Sequence, residues 1–363
     1  MPVVLVVAGL FFVALGLVLR WYRAEQRAGA VDMAYAEVSR IPTPDGSGFD
    51  LRRLPGDGGK PVLLVHGIAA NHRNVDLHPG RSLARYLRAA GRDVWLLTLR
   101  SGRGDRRRTE PVGFSAMARH DVPMAVAAVR ERTGADRVDY VGFSMGGMLL
   151  YASLGRTLPE GWLRRAVIIG SPVWVALPIP WSRSPVVRML ARLVPTLPLR
   201  SLSALVATLA EVLHTPLHPL IYNPRNVSAG DTRRSLVNII ADIPGPLVRE
   251  LGAWATTDRH IRLEDGRTAM EALQEVSVPV QFFAGAADRV APPRAVRRAY
   301  LAWGRRRDGV VSRYTLLGRR TGAADDYGHG DLAIGRCLDD DLHDPIRAFL
   351  DAEWGDPFTG GGD

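Results

Sequence analysis

The six residues Gly142-Phe143-Ser144-Met145-Gly146-Gly147 leave this chain few ways to fold. The β-formers Val138 to Val141 precede them and stop at Gly142, and a helix-forming run begins just past Gly146. Ser144 therefore stands in a strand-to-helix turn, with a glycine two residues away on either side. A turn that sharp has no room for Cβ atoms at its flanks, and it holds the serine in a strained conformation with its hydroxyl exposed. A G-x-S-x-G match alone is weak, because a Gly-rich strand–helix turn needs no chemistry. It becomes a nucleophile turn only if the rest of the chain supplies a base and an acid.

Around this turn the apolar pattern alternates between buried strands and helices. Residues 37–41 and 49–54 read as a hairpin about a Pro-Asp-Gly turn at 44–46. Strands are expected at 61–66, 93–99, 166–170, 278–284 and 313–317. Helices are expected at 74–90, 114–132, from the turn to about 156, at 293–303 and at 342–354. This order predicts an α/β fold, a mostly parallel doubly wound sheet with right-handed crossovers. The alternation breaks at about 173–276, where the chain is helix-like, proline-punctuated and often strongly apolar. Such an insertion is expected to form a helical cap over the sheet's C-terminal edge; the alternative is an excursion that thickens the core. The expected organisation is a separate N-terminal segment, 1–24, followed by one domain, 25–363, that carries the cap.

A serine hydroxyl needs a base within hydrogen-bond reach, itself oriented by a carboxylate. On a doubly wound sheet both belong in loops at the C-terminal ends of strands, following the serine in the order acid, then histidine. Asp288 sits in a short loop after the apolar run that ends at Gly285. His329, in Tyr327-Gly328-His329-Gly330-Asp331, sits in the loop after the last strand. Asp331 is a rival acid, but it lies too close in sequence to His329 to face it naturally. Asp325 and Asp326 read as solvated loop charges. Donors for a developing oxyanion are expected from the backbone N–H of Met145 and of Ile68, the latter in the loop after the first parallel strand. In that same loop His66 reads as a structural pin rather than as a second base.

Composition narrows the classes. The formal charge is +10 and Lys60 is the only lysine, so the positive surface is arginine and suits anionic headgroups or acidic substrates. No basic stripe interleaved with aromatics points to nucleic acid. Cys337 is the only cysteine, which rules out an internal disulfide; it is expected to be a small buried hydrophobe. His214 and His218 have a helical spacing that Pro216 spoils, so no metal is expected. Arg103 to Arg108 lie on the active-site side, either as a solvated loop or to steer an anionic substrate.

Residues 2–19 carry no charge, and as a helix they span about 27 Å, close to a bilayer core. Trp21 and Tyr22 follow where an interfacial belt would lie, beside Arg20, Arg23 and Arg27. The expectation is a single-pass N-terminal membrane anchor with the remaining chain on the cytoplasmic side. A cleaved signal with an exported domain is the alternative; a soluble core helix is the third reading.

Together, Leu64-Val65-His66-Gly67, the turn at Gly142 to Gly147, Gly285-Ala286-Ala287-Asp288 and the loop Tyr327 to Asp331 resemble the α/β-hydrolase superfamily. They are most similar to its lipase and esterase-like members with an N-terminal hydrophobic segment. The resemblance covers about residues 36–355 and implies Ser144, Asp288 and His329 as a catalytic triad, Ile68 and Met145 as oxyanion donors, and no cofactor. His-Gly-Ile stands where hormone-sensitive-lipase types carry His-Gly-Gly-Gly. The implied activity is hydrolysis of an acyl or other hydrophobic ester through an acyl-enzyme. Acyl transfer with the same triad and a non-catalytic binding protein on this scaffold are the alternatives. Oligomeric state is not legible.

Overall fold

The computed structural model describes residues 2–106, 109–175, 195–212 and 222–352. Its main sheet has eight strands in the order β1-β2-β4-β3-β5-β6-β9-β10. The hairpin β1 (Glu37–Pro42) and β2 (Gly48–Leu54) is antiparallel, and β2 is antiparallel to β4. From β4 (Asp93–Thr98) onward through β3 (Pro61–Val65), β5 (Val138–Phe143), β6 (Leu163–Ile169), β9 (Val280–Gly285) and β10 (Ser312–Leu317), every pairing is parallel. The fold is thus the mostly parallel α/β sheet that the alternation predicts.

Helices cover both faces, which is why the central strands β3, β4, β5 and β9 are buried along their whole length rather than at alternate positions. Successive side chains serve opposite layers. Leu63, Val65, Tyr140, Ile168 and Phe282 pack into one core, and Leu64, Val141, Val167 and Phe283 into the other. The chain leaves β3 in one direction to β4 and returns to the other side as β5, so the strand order reverses between β3 and β5. A crevice opens at the carboxyl ends of the strands at such a switch point. The loops after β3 and β5 both emerge there.

Several expected elements change length. In place of one helix over 74–90 there is a 3-10 turn, His72–Asn74, and a short α2, Leu83–Ala89. Pro79-Gly80 interrupts the helix, and the buried Asp76 takes hydrogen bonds from Tyr35, Ser82 and Arg85 to hold the intervening loop. The next helix is continuous but composite: α3 (Phe114–Ala116), a π turn (Met117–Asp121) and α4 (Val122–Thr133). The helix after the serine, α5 (Met145–Ser153), stops three residues short of 156. Cys337 is exposed rather than buried, because it lies in the turn between two short helical pieces.

Between β6 and β9 the described part of the insertion is mainly helical: α6 (Leu199–Val212), α7 (Ala229–Asn238), α8 (Gly245–Thr256) and α9 (Ala269–Ala272). A two-stranded antiparallel ladder, β7 (Thr196–Leu197) with β8 (Ile243–Pro244), joins them. His214 and His218 lie outside the described residues. The fold closes with α10 (Pro293–Ala302), α11 (Asp331–Ile334) and α12 (Asp344–Asp351).

The N-terminal segment is a helix, α1, Pro2–Gly29, with side chains described from Val13 onward, Glu25 apart. Among the described residues no helix is long and apolar enough to cross a membrane.

Candidate active site

Ser144 occupies the turn between β5 and α5 with φ 51° and ψ −115°, a left-handed-side conformation that L-residues avoid. Its N–H donates to the carbonyl of Ile169 at 2.8 Å, which ties the turn to β6. The glycines are steric necessities. A Cβ on Gly142 would come 2.6 Å from the Gly147 nitrogen, and one on Gly146 would collide with the carbonyl of Val65. Gly67, opposite, would place a Cβ 3.1 Å from that of Ser144. Backbone from β3 and β5 can approach this closely only without side chains.

The acid and the base arrive from the two strands on the other flank. Asp288 follows β9, and its buried carboxylate accepts from the N–H groups of Val290 at 2.8 Å and Ala291 at 2.7 Å through Oδ1. Its Oδ2 lies 2.8 Å from His329 Nδ1, and His329 Nε2 lies 2.9 Å from Ser144 Oγ. Because a carboxylate only accepts, Nδ1 carries the proton and Nε2 is left with its lone pair toward the hydroxyl. Asp288, His329 and Ser144 therefore form one continuous hydrogen-bond chain. Ser144 is 4 % exposed.

The loop after β3 comes within van der Waals reach of Ser144 at Gly67. Asn74 Oδ1 accepts the Gly67 N–H at 3.1 Å, and Ala69 adopts φ 52°. Among the described residues, the N–H groups of Ile68 and Met145 take part in none of the turn, cap or side-chain hydrogen bonds of these two loops. His66 is fully buried: Nδ1 contacts the carbonyl of Gly67 at 2.7 Å, and Nε2 accepts the N–H of Leu99 at 3.0 Å. Both ring nitrogens are spent on backbone, and burial pushes its pKa down to about 4.

Asp331 has a part that sequence reasoning missed. It makes no bond to His329. Its buried carboxylate instead accepts from Gly328 N–H at 3.0 Å, Asn223 N–H at 2.8 Å and Asn226 Nδ2 at 3.3 Å. It thus fastens the residue before His329 to the insertion, and burial raises its pKa to about 6. The insertion also meets the loop after β3, where Ala241 N–H donates to the carbonyl of Ala69 at 2.8 Å. No spacing rule announces such contacts, since their partners lie 105 and 172 residues away.

Arg103 is neither solvated nor free to steer a substrate. It donates to the Gly48 carbonyl at 3.1 Å and to Glu110 at 2.9 Å, and it pairs with Asp105. Arg107 and Arg108 lie outside the described residues. Among the described residues no group of three His, Cys, Asp or Glu side chains is placed to hold a metal ion.

Residues 60–311 match the model of a family described as alpha/beta hydrolase fold, a stretch that includes Ser144 and Asp288 and stops short of His329. Mouse lipase member M is 29 % identical over 151 residues, 38 % of this chain and 34 % of that protein. Human gastric triacylglycerol lipase is 31 % identical over 128 residues, 30 % and 32 % of the two chains. The matched stretch spans about a third of the length of these curated relatives. Among solved structures, an esterase from Thermogutta terrifontis superposes with a TM-score of 0.57 at 16 % identity, covering 87 % of this chain and 98 % of its own. A structure titled as a membrane phospholipase A, a bacterial virulence factor, superposes at 0.51 and 17 % identity over 96 % of each chain. At these identities the structural likenesses speak for the fold. With the family model matched over most of its length, the chain belongs to the α/β-hydrolase fold family.

Proposed function

We propose that this chain is a serine esterase that cleaves carboxylic esters of hydrophobic acids through an acyl-enzyme. The observation that carries the reading is the unbroken chain Asp288–His329–Ser144 at 2.8 and 2.9 Å, with the nucleophile held in a strained turn. His329 Nε2 takes the Ser144 proton as Oγ attacks the ester carbonyl. Asp288 keeps the imidazole in the required tautomer and stabilises the imidazolium. The N–H groups of Ile68 and Met145 receive the oxyanion. Collapse of the tetrahedral adduct returns the proton from His329 to the leaving alcohol. Water then attacks the acyl group, His329 again serving as base, and frees the acid and Ser144.

Named as they are for lipid ester cleavage, the lipases it resembles in sequence support a hydrophobic acyl substrate, as does the apolar insertion. Residues 2–19 attach the protein to a membrane, and Arg20, Arg23 and Arg27 keep the domain on the cytoplasmic side. Turnover of p-nitrophenyl acyl esters of graded chain length tests the activity. Ser144→Ala is expected to lower kcat at least about 10³-fold; an unchanged rate sinks the proposal. Adding a competing alcohol to the same assay and identifying the products separates hydrolysis from acyl transfer.

A further inference from the structure

Exposed apolar surface is concentrated on two helices. Of the ten large apolar side chains exposed among the described residues, six belong to α1 and two, Leu202 and Val206, to α6. The other two, Val38 and Leu301, sit singly on β1 and α10. The helices α1 and α6 pack against each other, and both pack against α7.

Each helix uses one face for the protein and leaves the rest uncovered. On α6 the small residues Ser203, Ala204 and Ala207 are buried, while Leu202 and Val206, one turn apart, point outward. On α1 the inward positions are Tyr22, Gln26 and Gly29, spaced at i, i+4 and i+7; a Cβ on Gly29 would come 2.9 Å from Val237 of α7. Asn238 locks this junction, accepting the Val31 N–H at 3.0 Å and donating to the Gly29 carbonyl at 2.7 Å. Further toward the N-terminus, residues 13–19 are exposed on every side. A helix apolar all round belongs in lipid or in a core.

We propose that α6 lies on a lipid bilayer beside α1, so that the insertion packed over the Ile68 and His329 loops faces an anionic leaflet. The charge pattern selects lipid over a second copy of the chain. Arg20, Arg23 and Arg27 on α1 and Arg200 on α6 are exposed and form no ion pair among the described residues. They border the apolar surface where headgroup phosphates would lie. A two-fold contact between copies would press those like charges together.

The proposal rests on residues 2–19 entering a bilayer, and the two are read separately. Full-length protein carrying Cys337→Ser receives one new thiol, Leu202→Cys or Val38→Cys, labelled with an environment-sensitive fluorophore. Each is placed in vesicles of phosphatidylcholine and phosphatidylglycerol that contain nitroxide-bearing lipid. Flotation with the vesicles reports α1. The label at 202 is expected to be quenched severalfold more than that at 38, and more so as the anionic fraction rises. Equal quenching at both positions overturns the proposal even when the protein floats. So does a blue shift at 202 that grows with protein concentration in detergent and ignores vesicles, which would assign the face to a second copy. Hydrolysis of water-soluble p-nitrophenyl acetate by each labelled protein reports the esterase reading independently of both.

Discussion

Two histidines stand in loops that leave the carboxyl ends of parallel strands, His66 after β3 and His329 after β10, and their surroundings assign them opposite work. His66 is fully buried and gives both ring nitrogens to backbone, the Gly67 carbonyl and the Leu99 N–H. His329 gives one nitrogen to a carboxylate and turns the other to a hydroxyl. A ring saturated by the main chain has no lone pair left for a substrate and, in a dry site, remains neutral. A ring held by Asp288 is oriented and still has one nitrogen available. The difference lies in the partners, since both residues are histidines at equivalent strand ends.

The largest effect that should separate the two regions is on rate. Asp288→Asn preserves shape but offers Nδ1 no carboxylate, so kcat is expected to fall about 10³- to 10⁴-fold with little change in stability. A loss below tenfold in steady-state kinetics would remove Asp288 as the group that orients His329.

On the other side the expected effect is on folding. His66→Ala strands the Leu99 N–H and the Gly67 carbonyl in a buried place and opens a cavity, at a cost of about 3 to 5 kcal/mol by urea denaturation. The pH profile of kcat/KM in the folded variant should match that of the unaltered protein; a shifted profile would give His66 a proton-transfer role.

A smaller and subtler effect is the pH dependence of stability. With its pKa held near 4, folded His66 refuses a proton that the unfolded chain takes up at 6.5, so its contribution is present above pH 6.5 and lost as pH falls toward 4, by roughly 3 kcal/mol. Asp331 opposes this in the same window. Its folded pKa of about 6 lies above the unfolded 3.8, so its contribution is full below 3.8 and fades as pH rises through 6. Asp331→Asn should therefore steepen the acid loss measured by denaturation from pH 6.5 to 4. It should also cost about 1 to 3 kcal/mol overall, because an amide cannot accept from all three of its donors. An unchanged slope would mean that Asp331 does not titrate in that window.

What could be read from the sequence was whatever is local. The strand before Ser144, the glycines around it and the loops holding Asp288 and His329 each follow from a short stretch of chain, and the parallel order follows from their alternation. Contacts made across the chain could not be read. The Asp331 clamp depends on Asn223 and Asn226, and the loop at Ala69 on Ala241. Arg103 was misread because its fate is set by Glu110 and by the carbonyl of Gly48 in the β2 strand. The helix expected over 74–90 failed for the same reason: the polar grip of Asp76 on Tyr35, Ser82 and Arg85 stabilises a loop that periodicity alone reads as helix.

The central claim is that Ser144, served by His329 and not by His66, is the nucleophile. Labelling with a fluorophosphonate probe followed by peptide mass mapping tests it most directly. The account predicts a single adduct on Ser144, absent in Ser144→Ala, slowed at least about 10³-fold in His329→Ala and retained in the folded fraction of His66→Ala. An adduct on another serine, or labelling of His329→Ala at the rate of the unaltered protein, would contradict it.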